Sequence, residues 1–557
     1  MPPITRRAFV IASGASLVSV LSGCGAGGDG SDSGSSGGGL SAARFTHGVA
    51  SGDPLPDAVM LWTRALPIAA NETTTRIRYA IARDAAMTEL VASGVVAGSE
   101  AGDWTIKLDL RDLQADHAYY YRFESATERS PVGRTRTAPS GSVDRLRLVF
   151  VTCANYVAGY FHAYRRVAER SDLHAVVHLG DYIYENGEQD QVRPHEPAYE
   201  ILTLSDYRMR YAQYRRDEDL LELHRQHPMI WVWDDHEVCN NAWRDGAEGH
   251  DPSADGDYAT RRRAAMQAAF EWLPIRAPDA ADRARVWRGF KFGDLADLTM
   301  IDARHFGRDR PAAPNTLFGD AVPVFTQTGD FADETRQMLG VTQEAWLATQ
   351  LAGNSAQWQL IGNQIYFSPL KLLGAPRATG GGGLYLSNDK WDGYDPARAR
   401  VMQMIAARDN VVIMTGDAHE AYAFEVTDDP NSIGYVALTG SGASAVEFVA
   451  TSISSRGDQP VGNGATAIVT RTQTQAEQLL RLTNPHLKYY QNTLNGYVLI
   501  DLTPQRLQAE FWMVPQVTVH TDEQALDRSF TLASGSHHLV AASDASRPIA
   551  GGPAPAP

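Results

Sequence analysis

The chain has 557 residues, of which 43% are hydrophobic and 21% charged, with a formal net charge of −16. That length exceeds a single ordinary core, so two folded units are expected. The acidic balance and the lack of a clustered basic stripe exclude a polyanion-binding surface and any specific nucleic-acid partner, so a phosphate-bearing ligand has to be neutralised locally, by metal or a few arginines.

Residues 1–24 have the pattern of an export signal, with Arg6-Arg7 ahead of an apolar stretch from Ala8 to Leu21 that is too short to span a bilayer as a mature helix. Thr5-Arg6-Arg7-Ala8-Phe9-Val10 resembles a twin-arginine signal, a route for proteins that fold, often around a cofactor, before crossing the membrane. Leu21-Ser22-Gly23-Cys24 resembles a lipobox, in which cleavage before Cys24 leaves a thiol to be lipidated; the alternative is a Gly/Ser-rich stretch that happens to hold one cysteine. The expectation is an exported protein, periplasmic or at the cell surface, tethered to a membrane through Cys24. Residues 25–42 are rich in Gly and Ser and cannot bury enough apolar surface to order themselves, so they read as a flexible linker. Only Cys153 and Cys239 then remain, too few for a disulfide scaffold.

From 43 to 139, short alternating or apolar segments at 58–63, 75–82, 104–110 and 119–123 are separated by turn residues, which predicts a small all-β, immunoglobulin-like sandwich. Its histidines and acids form no cluster, so it reads as a structural or positioning unit. A second unit from 145 to 535 has buried-strand runs at 146–151, 175–179, 229–233, 298–301, 359–361 and 411–414, alternating with helical patterns at 205–226, 258–273, 343–353 and 396–408. This predicts an α/β architecture with mixed sheets, since hairpin-like stretches continue to Val514; residues 536–557 are left as a C-terminal tail.

Polar residues collect directly after the apolar runs, where the carboxyl edge of an α/β sheet places ligand-binding loops. Four such loops are alike: Thr152-Cys153-Ala154-Asn155-Tyr156, Gly180-Asp181-Tyr182-Ile183-Tyr184-Glu185, Asp234-Asp235-His236-Glu237 followed by Asn240-Asn241, and Thr415-Gly416-Asp417-Ala418-His419-Glu420. A lone Gly-Asp is usually a turn and a lone Asp-His a surface cluster. Four successive strand ends supplying carboxylate, imidazole, thiol, phenol or amide point instead to a metal centre. By itself Cys153 reads first as a small core residue at the end of a buried strand; a disulfide with Cys239 is a further alternative, one that would consume a metal ligand. Arg304, at another strand end, either holds a phosphate oxygen through its planar fork or forms an internal salt bridge. The run Gly380 to Gly383 lacks a P-loop lysine and reads as a mobile loop that, with Trp391 and Tyr394, lines or covers a substrate entrance.

These loops resemble those of the metallophosphoesterases and, more closely, the alkaline phosphatase D or PhoD-like phosphatase family. The resemblance runs through most of the mature chain and includes Phe45-Thr46-His47-Gly48-Val49-Ala50-Ser51-Gly52-Asp53-Pro54, Trp391-Asp392-Gly393-Tyr394, Glu447-Phe448-Val449, Asn484-Pro485-His486 and Gly496-Tyr497-Val498. It implies a metallophosphoesterase-like catalytic domain and a centre of Fe(3+) and Ca(2+), with a dinuclear Zn or Mn centre as the alternative. Thiolate and phenolate are strong donors to ferric iron, whereas carboxylate and amide oxygens suit calcium. The resemblance thus implies Cys153 and Tyr184 as iron ligands, Asp181 as the bridge, Asp417 and His419 on the iron side, and Asp235 on the second metal, with Asn241 a further calcium candidate. The implied chemistry is attack of a metal-activated hydroxide on phosphorus, with His236 contacting the phosphate or protonating the leaving group and Glu237 orienting that histidine. The expected activity is hydrolysis of small phosphate esters with release of inorganic phosphate. Phosphodiesterase or phospholipase D-type activity on the same centre is the runner-up, and a non-catalytic, metal-structured binding protein the reading from another class.

Overall fold

In a computed structural model, residues 9–11, 39–187, 192–277, 279, 285–314, 324–456 and 473–557 are described. The leader, the linker up to residue 38 and Cys24 lie outside them, apart from Phe9–Ile11, which pairs antiparallel with Thr105–Leu110. None of the described helices is long and apolar enough to cross a membrane.

Strict alternation shapes the first unit. In Thr74–Ala82 the side chains of Ile77, Tyr79 and Ile81 are buried while Thr74, Arg76 and Arg78 face solvent, as a period of two requires. This strand, with Leu90–Ser99, Ala118–Glu124 and Gly133–Arg136, forms a four-stranded antiparallel sheet. Its inner face meets Val49, Val59, Leu61, Ile106 and Leu108 from a second sheet in one apolar core, giving the two-layer all-β unit that the alternation predicts.

That second sheet does not stop at the unit's border. Val49–Gly52 pairs in parallel with Pro228–Trp231, Ser51 opposite Pro228 and Gly52 opposite Met229. Among the described residues an eleven-stranded sheet therefore runs from the β unit through Ala175–His178 and Leu146–Val151 to the hairpins Asn495–Leu502, Arg506–Val514, Ala525–Ala533 and Val540–Ala542. Gly52 permits the joint: a Cβ there would lie 2.5 Å from the carbonyl oxygens of both Met229 and Pro274.

A seven-stranded mixed sheet, parallel through Ala296–Met300, Trp358–Asn363, Val411–Thr415 and Ala445–Val449, packs face to face against the first. Val149, Val176 and Ile230 of one share a core with Leu298, Leu360, Val412 and Phe448 of the other. Helices cover both outer faces: His162–Ala168, Leu204–Tyr214 and Glu218–Gln226 on the first sheet, Gly340–Gly353 and Asp395–Ala406 on the second. The parallel strands are thus buried on both sides, which is why they read as continuous apolar runs.

The predicted helix at 205–226 is two helices, because Asp217 accepts from the N–H groups of Asp219 and Leu220 at 3.0 Å each and starts a new helix. The predicted tail is anchored. Val540–Ala542 adds an edge strand, Tyr120 Oη donates to the Ala554 carbonyl at 2.6 Å, and the Gln226 amide brackets Ala556 at 3.1 and 3.0 Å.

Candidate functional site

The carboxyl ends of the parallel strands of both sheets converge. Leu146–Val151 leads to Cys153, Ala175–His178 to Asp181, Pro228–Trp231 to Asp234 and Asp235, and Val411–Thr415 to Asp417 and His419. Cys153, Asp181, Asp417 and His419 all have left-handed backbones, with φ of 57°, 55°, 62° and 57°. Non-glycine residues adopt that region at a cost of about 1–3 kcal/mol each, and such strain collects at functional sites. Cross-loop hydrogen bonds hold it: Cys153 N donates to Gly180 O at 3.1 Å and Ala154 N to Asp181 O at 2.9 Å.

Ligand atoms fall into three overlapping groups, each within 4.8 Å: Cys153, Asp181 and His419; Asp181, Asp235 and His236; Asp234, Asp235 and Asp417. Asp181 belongs to the first two and Asp235 to the last two, so the groups form a chain. Tyr184 Oη joins the first, donating to Asp181 Oδ2 at 3.1 Å and lying 3.0 Å from His419 Nε2, while Ser455 Oγ donates to it at 2.7 Å. His236, His419 and Asp417 are the partly exposed members, on the solvent side of each group. Asp417, expected beside His419, instead shares its group with Asp234 and Asp235.

Burial raises the pKa of Asp181 and Asp234 well above the carboxylate range, and burial with the Asp181 charge does the same to the Cys153 thiol and the Tyr184 phenol. Asp234 Oδ2 and Asp235 Oδ1 are buried with no hydrogen bond among the described residues, although Arg304 Nη2 lies 3.7 Å from Asp235 Oδ1. Buried acidic oxygens left this way are costly unless something cationic meets them. The donor set therefore fits metal ions, with sulfur, phenol and imidazole at one end and carboxylate oxygen alone at the other.

The carboxylates at the second loop have roles that adjacency in sequence does not give. His236 Nδ1 donates to Glu185 Oε2 at 2.6 Å, and Glu185 Oε1 accepts from Asn240 N at 2.7 Å. Burial opposes a charged imidazole, yet Glu185, Asp181 and Asp235 hold the His236 pKa well above its ordinary value. Tyr184 stacks on its ring at 4.2 Å. Glu237, expected to orient His236, instead accepts from the backbone N–H groups of Asp181, Tyr182 and Asp234 at 3.0, 2.7 and 2.8 Å, tying two loops together. Burial pushes its pKa up to about 7.

Other expectations need correcting. Arg304 is fully buried, and its three nitrogens are committed to Asp234, Asp389 and Asp417, so it is an internal counter-ion and not a phosphate contact. Trp391 and Tyr394 are 1% and 0% exposed in the core behind the second sheet, where Tyr394 Oη donates to Asp309 O, so neither lines an entrance. The Gly380 to Gly383 run closes the hairpin of Lys371–Gly374 with Gly383–Tyr385. The Asn241 amide is turned away toward Glu248, and only its backbone N–H serves the cluster, on Asp235 Oδ2. Cys153 and Cys239 are both free and buried, so the disulfide alternative is not realised.

Asp234, Glu185, Asp389, Lys390 and Ser455 went unassigned in the sequence. Asp234 and Glu185 stood in loops already singled out. Asp389 and Lys390, whose ammonium binds Asp389 and Asp417, gave no signal beyond preceding Trp391.

Two family models match this chain: PhoD-like phosphatase over residues 148–511, and PhoD-like phosphatase, N-terminal domain, over residues 33–139. Alkaline phosphatase D of Bacillus subtilis (strain 168) is 35% identical over 494 residues, covering 85% of this chain and 78% of that protein. The solved structure described as "Structure of PhoD" matches with a TM-score of 0.78 and 31% identity, covering 93% of this chain and 95% of that one.

Proposed function

Since the chain belongs to the PhoD-like phosphatase family, we propose that it is an exported phosphohydrolase that releases inorganic phosphate from phosphate esters at the Asp181, Asp235 and Asp417 centre. The observation that carries this reading is the chain of three ligand groups, with buried acid oxygens that accept no hydrogen bond, at the meeting of two sheet edges. Cys153, Tyr184, Asp181 and His419 would hold ferric iron; Asp181, Asp234, Asp235 and Asp417 would hold calcium, with Asn241 acting through its backbone. Bound there, the cations supply an acidified water and positive charge for the phosphoryl oxygens. Because Nδ1 is committed to Glu185, His236 presents Nε2 to the substrate and donates its proton to a phosphoryl or leaving-group oxygen. Glu185 fixes the tautomer and the ring plane, and Tyr184 restrains the ring from its face. Arg304 and Lys390 restrain Asp417 from behind and beside it.

The two-layer unit at 43–139 is an immunoglobulin-like positioning domain, and residues 145–535 form the metallophosphoesterase-like domain. Twin-arginine export suits a site folded around metal, and lipidation at Cys24 would keep the enzyme at a membrane. That tether is what favours a second reading, cleavage of phosphodiesters or phospholipids on the same centre.

Rates of ester cleavage in an aryl phosphate monoester, a bis-ester and a phospholipid, read as released phenol or alcohol and, for the monoester, as inorganic phosphate, for wild type and His236→Ala, test the proposal. The expected result is fast monoester turnover that falls about 100-fold or more in the variant. Undiminished turnover in His236→Ala would sink the assignment of that residue, and diester rates far above the monoester rate would put the second reading first.

A further inference from the structure

The turn joining Ala421–Val426 to Ala445–Val449 has no charged residue from Pro430 to Val446, in a chain that is 21% charged. On it Ile433 is 103% exposed, Leu438 85% and Val436 45%. The segment is nonetheless held firmly. Val436 N donates to Ser441 O at 2.9 Å, Tyr435 Oη to buried Glu425 at 2.6 Å, and Lys488 Nζ to Ala437 O at 2.7 Å. Asn431 Nδ2 donates to Thr483 O at 3.0 Å, and Lys371 Nζ to Asn431 Oδ1 at 2.9 Å. These bonds set the turn against the end of the helix Gln473–Thr483 and the strand Lys371–Gly374, where Leu482 and Leu373 are also mostly exposed. The acids at its base are paired, Asp428 with Arg377 and Asp429 with Lys371.

Its place in the fold is set by the strands. Ala421–Val426 starts beside His419 and runs antiparallel to Ala445–Val449, which returns toward Thr451, whose hydroxyl donates to His419 O. The turn is thus at the opposite end of these strands from the metal centre.

Ile68, Leu90, Val341 and Val540 are exposed elsewhere on the surface, but this turn gathers Ile433, Val436 and Leu438 on one rigid, uncharged segment beside Leu482 and Leu373, and such a group marks an interaction site. We infer that this turn is a membrane-docking element, with Ile433, Val436 and Leu438 entering the interfacial layer of a phospholipid bilayer while the catalytic centre faces away from it. The choice of a bilayer rests on the lipid tether proposed at Cys24. Residues 25–38 reach at most about 50 Å if extended, which keeps the body beside the membrane. A single lipid attachment binds weakly and is made stable by a second signal. The turn itself carries no charge, although Asp428 and Arg481 stand exposed and Arg377 half-buried around its base, so it is the part of a chain of net charge −16 that approaches a phospholipid surface with least repulsion. Self-association is less suited, since a stable pair needs about 800 Å² from each copy, more than these few side chains supply.

The test is flotation of residues 24–557, the chain after leader removal, carrying Cys24→Ser so that it is unlipidated, with phosphatidylcholine vesicles. Wild type is expected to float, with little change between about 0.05 and 0.5 M NaCl. Ile433→Ser/Leu438→Ser should reduce the bound fraction at least about fivefold while leaving hydrolysis of a soluble ester unchanged. Equal flotation of the two chains, no flotation of wild type, binding abolished by salt, or a concentration-dependent dimer in sedimentation that the variant loses would each overturn the inference. Failure of the tether reading is separate: it would appear as an unlipidated Cys24 in the mass spectrum of the exported protein.

Discussion

Glu185 and Glu237 are both buried beside His236, and they hold different things. Glu237 satisfies three backbone N–H groups from two loops, so Glu237→Ala leaves all three buried and unpaired. At about 1–3 kcal/mol for each unsatisfied group, a loss of at least about 3 kcal/mol in urea-unfolding stability is expected, together with reduced metal content. Glu185→Gln keeps the size of the side chain but removes the charge that orients His236. Its kcat should fall about 10- to 100-fold with metal content unchanged, by steady-state kinetics beside elemental analysis. The loops themselves were legible because buried parallel strands are apolar and their ends are not. The partner of His236 was not legible, because it comes from a loop 51 residues away, while the neighbouring Glu237 points at the backbone. Trp391 and Tyr394 looked like entrance residues beside a glycine run, but their large apolar rings are used in the core.

At the scale of elements, alternation and apolar runs revealed which segments are strands and left their partners unspecified. Pairing of Val49–Gly52 with Pro228–Trp231 joins segments far apart in the chain, and nothing in either periodicity encodes it. What permits it is the missing side chain at Gly52. Gly52→Ala is therefore expected to cost about 3 kcal/mol or more in chemical denaturation, because backbone oxygens at 2.5 Å cannot rotate away as a flexible side chain would. A loss under about 0.5 kcal/mol would show that the joint is loose. The single helix predicted at 205–226 failed for a local reason, the capping aspartate at 217, which a count of apolar periodicity passes over.

Over the whole molecule, burial leaves a pH signature. His47, His178, His195, His227 and His486 have pKa values lowered to about 3, chiefly by burial. In the unfolded chain they titrate near 6.5, so between about pH 3 and 6.5 the unfolded state binds more protons and stability rises with pH. Each such histidine lowers stability by up to about 1.4 kcal/mol per pH unit as pH drops from about 6.5, as do His174 and His224, also pushed well down by burial. The buried carboxyls of Glu237 and Asp392, pushed up to about 7, act in the opposite sense. The melting temperature should therefore fall as pH drops, because the histidines are the more numerous. A melting temperature that rises as pH drops from about 6.5 to 4 would contradict the predominance of the buried histidines.

The most direct measurement is the metal content of the purified protein beside that of Asp181→Asn, with phosphate release from a monoester assayed on the same samples. Asp181 belongs to two of the three ligand groups, so its loss is expected to deplete bound metal and to reduce turnover by about 100-fold or more. Wild-type protein that turns over at full rate without metal, or an Asp181→Asn variant with unchanged metal and rate, would contradict a metal-dependent phosphatase centre at these strand ends.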